Sequence, residues 1–324
     1  MAALWYDKST NEACNDKPGG SHCGEEQLTA MLDDATRLIY SASGATAVPL
    51  LFQPQVLRCM AAGPGGHPLT VLLDTGTDPS AIDLGLARRL GLRLGEFALG
   101  QSAASNAVPF TETILPWLRL GDFTFRDLFV LAVDLGGTPF PVDIVLGYNV
   151  LRQLVFRVDF VNTMLYLSHP DLGMPELSSQ GALLPLTFFE HFPALQDVTL
   201  CDQVHLPLAT IDTGSNSGLT LGPDLAARLG LQPNGSAVVS ALGTGFGGGC
   251  EVLVGQADLV RVGPFALRDV DLDTLSNGTG DLRRNGRANI GNRLLARFAT
   301  VTLDYERRLC ALEPRPSADD GADL

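Results

Sequence analysis

Two aspartates stand out because each ends an apolar run and is followed by threonine and glycine. Asp74 lies in His67-Pro-Leu-Thr-Val-Leu-Leu-Asp74-Thr75-Gly76, and Asp212 in His205-Leu-Pro-Leu-Ala-Thr-Ile-Asp212-Thr213-Gly214. One Asp-Thr-Gly carries little weight, since average residue usage gives roughly 0.1 of them in a chain of this length. Two at matched places carry much more. Threonine then glycine makes a tight turn that holds a carboxylate against other backbone. Two carboxylates a few ångströms apart cannot both ionise, so they share one proton and titrate as a unit. Such a pair can take a proton from a bound water while giving one to a carbonyl oxygen, which hydrolyses an amide without a covalent intermediate.

The rest of the chain says how the two aspartates would meet, because the chain repeats itself. Leu86-Ala-Arg-Arg-Leu-Gly-Leu92 returns as Leu225-Ala-Ala-Arg-Leu-Gly-Leu231, and Arg119-Leu-Gly-Asp-Phe123 with Arg126-Asp127 returns as Arg261-Val-Gly-Pro-Phe265 with Arg268-Asp269. Ile144-Val-Leu-Gly147 matches Ala288-Asn-Ile-Gly291, and Val158-Asp-Phe160 matches Leu303-Asp-Tyr305. The offset creeps from 212 − 74 = 138 at the aspartates to 303 − 158 = 145 at the last match, as expected of one duplicated unit with a few added loop residues. Thr70–Leu73, Phe123–Val133, Val155–Asp159 and Thr300–Asp304 read as strands. Asp83–Leu90, stopped by Gly91, and the segment from Pro223 to Gly230 read as one short helix per copy. Leu28, Met31, Leu32, Ala35, Leu38 and Ile39 recur at helical spacing after Glu25 and Glu26, which predicts a helix in the N-terminal extension. The partition is an extension over 1–46, lobe one over 47–168, a linker over 169–182, lobe two over 183–314 and an acidic tail over 315–324.

Composition narrows the partners. With 45% hydrophobic and 18% charged residues the 324-residue chain is not of the disordered type. A net charge of −14 argues against nucleic acid and anionic membrane surfaces as partners. No apolar run reaches the length of a membrane span. Met1–Asp7 has neither a basic nor an apolar leader region, so a literal reading is cytoplasmic, and a removed leader would make it periplasmic or secreted. Six cysteines without a CxxC pair do not read as a zinc site or a disulfide scaffold; Cys14 and Cys23 either close a small loop or stay as free thiols. The scattered histidines suggest no metal, and no cofactor is implied. His67 and His205 read as structural or exposed, since this chemistry needs no histidine base.

At Asp74-Thr75-Gly76 and Asp212-Thr213-Gly214, with Val145-Leu146-Gly147 and Asn289-Ile290-Gly291 downstream, the sequence resembles the retropepsin-like and pepsin-like aspartic peptidases in their single-chain arrangement. The short lobes look more like two fused retropepsin units than a long pepsin. The resemblance implies a mostly β fold: two pseudo-twofold-related retropepsin-like β-barrel lobes with a cleft between them, here with the helical extension. It implies Asp74 and Asp212 as the catalytic pair, Thr75 and Thr213 as cross-links between the loops, Gly76 and Gly214 as turn residues, and Gly147 and Gly291 as packing beneath those loops. Asp78, with Asn216 at its place in lobe two, would bind substrate backbone. Flaps would lie over 98–107, including Gly100, and over 241–249, including Gly243, Gly245 and Phe246; neither holds the tyrosine of pepsin-type flaps. The G-x-G-x-x-G at Gly243, Gly245 and Gly248 is rejected as a dinucleotide site because strand-type residues follow it. Tyr148 and Asn292 stand where the retropepsin pattern has arginine, so the ion pair that normally supports the substrate-binding aspartate is not provided by the motif. Polar Asn289 replaces an apolar residue, which changes the packing below its loop.

The implied function is an endopeptidase acting on extended peptide or protein substrates, on the acid side of neutral, with a single chain sufficient for the active site. A catalytically silent peptide-binding relative and a glycoside hydrolase built on the same carboxylates stand as alternatives; the low aromatic content, 7%, speaks against the latter.

Overall fold

The computed structural model describes residues 4–5, 36–53, 55–103, 105–231, 239–245, 248–277 and 280–316. In lobe one, β1 (Pro68–Leu73) lies parallel to the later strand Ile144–Leu146, with Val71 opposite Ile144 and Leu73 opposite Leu146. Between them in sequence come β2 (Ala81–Asp83) and α1 (Leu84–Arg89); the strand Ile144–Leu146 is β3, and its other neighbour is β2, antiparallel. Lobe two repeats the arrangement. There β4 (Ala209–Ile211) runs parallel to Ala288–Ile290, with Ile211 opposite Ile290. The intervening elements are β5 (Leu219–Leu221) and α2 (Pro223–Arg228), and Ala288–Ile290, here β6, pairs antiparallel with β5. Parallel strands with both faces covered have nearly continuous apolar sequence, which accounts for the fully buried Ile144-Val145-Leu146 and Ala209–Ile211.

Local chemistry ends the elements where the sequence says it should. The Asp83 carboxylate caps α1 by accepting the Leu86 N–H at 2.8 Å, and Gly91 leaves the helix at φ +66°. Pro223 opens α2, and Gly230 closes it at φ +75°. Equivalent Asp127 and Asp269 share a left-handed backbone, φ 51° and 54°, so the duplication extends to strained positions within long strands.

A six-stranded sheet joins the halves. Its order is Ala182–Pro185, Leu309–Pro314, Phe298–Asp304, Val155–Asp159, Met164–Ser168 and Ala45–Pro49, three strands from each half of the chain. At its centre Arg157 faces Thr302, and these are equivalent positions (302 − 157 = 145). Val155 faces Asp304, and Asp159 faces Thr300, so each pair maps onto the other under the same offset. The pseudo-twofold axis therefore passes through the Arg157–Thr302 pair.

The N-terminal extension departs from the expected helix. Arg37–Ile39 form a strand, not the end of a helix, and pair antiparallel with Phe123–Val133, Leu38 opposite Phe125. Unpaired N–H and C=O groups along that edge need partners, and the extended segment supplies them, aided by the Arg37–Asp127 ion pair at 2.5 Å and a Phe129 N–H bond to the Thr36 hydroxyl at 3.0 Å. The remainder of the expected helix lies outside the described residues, as do Cys14 and Cys23; Cys59, Cys201, Cys250 and Cys310 are free thiols. Leu4–Trp5 extend the edge of Phe97–Ser102.

Phe156 is wholly buried in the central joining sheet. Phe156→Ala is expected to cost about 3–5 kcal/mol in denaturant unfolding. A loss below about 1 kcal/mol would mean that this sheet contributes little to holding the halves together.

Candidate active site

Both aspartates leave their strands in the same way. The Asp74 N–H donates to Leu146 O at 3.0 Å, and the Asp212 N–H to Ile290 O at 2.9 Å, so the parallel partner strand fixes the start of each loop. The loops then grip one another. Thr75 Oγ1 donates to Ile211 O at 2.5 Å while accepting the Thr213 N–H at 3.1 Å; Thr213 Oγ1 donates to Leu73 O at 2.9 Å while accepting the Thr75 N–H at 3.1 Å. Each hydroxyl uses its single proton on the opposite strand's carbonyl and its lone pair on the opposite N–H, so neither can be replaced by a methyl without orphaning buried backbone.

This grip brings the carboxyls together. Asp74 is 0% and Asp212 2% exposed, and the Asp74 carboxyl lies against Gly214, two residues beyond Asp212. The Gly76 N–H donates to Asp74 Oδ1 at 2.8 Å and the Gly214 N–H to Asp212 Oδ1 at 2.9 Å. A Cβ on Gly214 would overlap the Asp74 carboxyl, so only glycine permits the approach. Beyond this the halves differ. Asp74 Oδ2 accepts from the Thr77 hydroxyl at 2.8 Å, whereas Asp212 Oδ2 accepts from the Asn289 amide at 2.9 Å. Burial pushes both carboxyls above the usual range; for Asp74, burial and the neighbouring Asp212 charge raise it to about 8, against the hydrogen bonds from Thr77 and Gly76.

The supports beneath the loops are well defined. A Cβ on Gly147 would strike the Thr77 carbonyl, and one on Gly291 the Ser217 backbone. Under the first loop, Asn149 accepts from Ser80 and donates to Phe129 O at 3.0 Å, while Ser80 Oγ receives the Gly147 N–H at 2.9 Å. Under the second, Asn292 donates to the carbonyls of Thr213 at 2.7 Å and Ser215 at 2.9 Å.

Asp78 has a different partner. His191, from the turn following the strand Thr187–Phe189 in lobe two, bonds its carboxylate, and that bond raises the histidine's pKa against the effect of burial. The imidazole stacks on Tyr148, centroids 4.6 Å apart and planes 6° apart, and Arg152 lies over the other part of that aromatic pair at 5.4 Å from the Tyr148 ring. Tyr148 thus occupies the position where the motif lacks arginine and seats its replacement. Sequence reasoning missed His191 because 113 residues separate it from Asp78. It also missed the contacts of Thr77 and Asn289; the polar residue breaking an apolar motif was the available signal for the second.

A cavity beside the pair is lined by Gly76, Asp212, Ser102, Ala103, Phe192 and Arg287, among others. Ser102 and Ala103 come from the hairpin of Phe97–Ser102 with Val108–Leu120, which also carries Gly100. This hairpin reaches lobe two: the Leu282 N–H donates to Ala103 O at 3.2 Å, and a Cβ on Gly280 would collide with the backbone of 102–103. Gly243 and Gly245 lie in the hairpin of Val239–Gly245 with Gly248–Val262, Gly245 opposite Gly248, and are not among the described residues lining the cavity. A strand, not a helix, follows Gly248. Phe246 lies outside the described residues. Asn216 is half-buried on the lobe-two loop, and His67 and His205 are exposed.

A sequence profile described as aspartyl protease matches residues 61–150 and 197–287, one stretch in each lobe. Among solved structures, a retropepsin-like aspartic protease from Rickettsia conorii aligns with 43% of this chain and 96% of its own, at 18% identity and a TM-score of 0.32. Basic 7S globulin from soybean aligns with 89% of this chain and 98% of its own, at 11% identity and a TM-score of 0.45. No curated protein matches the chain.

The buried carboxyls have a thermodynamic consequence. An unfolded chain releases an aspartate proton near pH ~3.9, whereas the folded chain keeps that of Asp74 up to about 8. Between these values the folded state binds more protons, so stability falls as pH rises. Asp74→Asn keeps the shape and removes the ionisation. It is expected to raise Tm by a few degrees at pH 8 and to change it little at pH 4; equal shifts at both pH values would contradict a retained proton.

Proposed function

The chain belongs to the aspartyl protease family, and on that footing we propose that it is an endopeptidase that hydrolyses peptide bonds with a water activated between Asp74 and Asp212. The observation that carries this reading is the burial of two carboxyls on loops cross-linked by Thr75 and Thr213, with the Asp74 carboxyl against Gly214 of the Asp212 loop. With one proton on the pair, the ionised carboxylate removes a proton from water as the oxygen attacks the carbonyl carbon. The protonated neighbour gives its proton to the carbonyl oxygen. The resulting gem-diol collapses when the first aspartate passes its proton to the amide nitrogen, one diol hydroxyl returns its proton to the second, and the C–N bond breaks. No covalent enzyme intermediate forms, and the pair ends as it began.

Other features support the reading. The hairpin bearing Ser102 and Ala103 lies over the cavity beside Asp212 and rests on lobe two, where it would shield the reaction from bulk water. Asp78, held by His191, is the group we assign to the backbone of an extended peptide, with Asn216 and the two hairpins, including Gly100, Gly243 and Gly245, as further candidates for substrate contact. Both aspartates come from one chain, so a monomer suffices.

Asp74→Asn and Asp212→Asn are each expected to lower kcat on a peptide substrate by about 10²–10⁴-fold or more and to abolish binding of a statine-type transition-state analogue. Cleavage retained in both variants would end the proposal; tight peptide binding without cleavage by the unaltered protein would favour a catalytically silent binding module. Activity requires one proton on the pair, so it is lost at low pH, where both carboxyls are protonated, and again as pH rises through about 8, where Asp74 ionises. The pH–rate profile is expected to be bell-shaped with its maximum on the acid side of neutral, and activity still rising at pH 9 would contradict it.

A further inference from the structure

We propose that Asn289 is a positioning residue that places the shared proton on Asp74 and leaves Asp212 as the carboxylate that receives the proton from water. The proposal rests on the peptidase reading for its chemistry, although the proton's location can be tested without turnover.

The two halves are duplicates, so each can be read against the other. Asn289 stands where lobe one has Val145, and its partner Thr210 stands where lobe one has Leu72. All four side chains are buried, so a hydrocarbon pair in one lobe has become an amide and a hydroxyl in the other. Such a change loses apolar burial and is tolerated only if the polar atoms are satisfied. They are. Thr210 Oγ1 lies 2.7 Å from Asn289 Oδ1 and 3.1 Å from Ala288 O, and Asn289 Nδ2 donates to Asp212 Oδ2 at 2.9 Å. With the hydroxyl proton on Asn289 Oδ1, the nearer of its two acceptors, the amide oxygen faces Thr210 and its nitrogen faces the aspartate.

The neighbouring hydroxyls differ as well. Thr77, three residues after Asp74, bonds Asp74 Oδ2, whereas its counterpart Ser215 turns to Ser217 at 2.9 Å. A hydroxyl donates or accepts, so Thr77 suits Asp74 in either protonation state. An amide NH₂ only donates. With the Gly214 N–H on Oδ1 and the Asn289 N–H on Oδ2, both oxygens of Asp212 face obligate donors, which stabilise the ionised form. The one proton then belongs on Asp74, directed at Asp212. Asp281, lining the cavity beside Asp212, is paired with Arg287 at 2.6 Å and with Arg284 at 3.3 Å, so this group leaves an excess of positive charge on the side of Asp212, which acts in the same direction as the amide. On the side of Asp74 lie Tyr305 and Asp78, and Asp78 is bonded to His191.

The test writes lobe one's residues into lobe two, Thr210→Leu with Asn289→Val, so that no polar atom is left orphaned. Loss of the amide donor raises the Asp212 pKa, and the acid limb of the kcat/KM profile is expected to move up by about one to two pH units. A residue of merely structural value would lower activity at every pH and leave the limb in place. The second readout is esterification by a small epoxide. An ionised carboxylate attacks a ring carbon, the ring C–O bond breaks and its oxygen takes a proton from water; a protonated carboxyl reacts far more slowly. Peptide mapping by mass spectrometry is expected to find the ester on Asp212 in the unaltered protein and to find that preference lost in the double variant. An ester on Asp74, on both equally or on neither, or an unmoved acid limb, overturns the proposal. If the unaltered protein cleaves no peptide, the peptidase reading falls, and the labelling pattern alone decides where the proton sits.

Discussion

Four hydrogen bonds made by two threonine hydroxyls govern this molecule. Thr75 and Thr213 each reach across to the other lobe's strand carbonyl and loop N–H, and they do so in a fully buried setting where water cannot substitute. Their geometry is what forces two acidic side chains into contact, a juxtaposition that electrostatics alone would oppose. Coulomb repulsion and desolvation then disfavour the doubly ionised state, so the raised carboxyl pKa values follow from the threonines as much as from the aspartates. The joining sheet performs the same task at larger scale, holding the lobes in the relation in which the hydroxyls meet.

Much of this was legible in the sequence because duplication supplies an internal comparison. A collinear set of matches predicts paired lobes, and the apolar run before each Asp-Thr-Gly predicts the strand that carries it. Helix limits at Asp83, Gly91, Pro223 and Gly230 follow from capping chemistry, which is local. The strand at Arg37–Ile39 is not legible in the sequence because Leu38 and Ile39 fit a helical period, while what decides their conformation is a sheet edge some ninety residues away. His191 was invisible for the same reason, since nothing near it in the chain announces Asp78. Asn289 lay between these cases. Its polarity marked an anomaly, but only the fold reveals that β6 runs beside β4 and so aims the amide at Asp212.

The halves are alike in backbone and unlike in the polar atoms that surround the acids. Lobe one uses a hydroxyl and a Ser80–Asn149 bracket; lobe two uses an amide anchored by Thr210, with Asn292 tying the loop carbonyls. Hydrogen-bond donors can be exchanged beneath a loop at small cost when each buried atom keeps a partner, whereas the glycines at 147, 214 and 291 admit no side chain at all. Shape is thus held strictly, and the electrostatic setting of each acid is free to drift.

The self-facing pair at the centre of the joining sheet, Arg157 opposite Thr302, bears on that freedom. In an assembly of two identical chains, a residue on the symmetry axis must meet a copy of itself, and every substitution is made twice. An arginine there would confront an arginine. Covalent fusion of the two units lifts that restriction, so cationic and hydroxyl side chains can occupy the two sides of one axial contact, and a donor can be introduced beside one acid without appearing beside the other. One polypeptide in place of two therefore permits a chemical division of labour that a symmetric dimer could reach only by breaking its symmetry on every encounter with substrate.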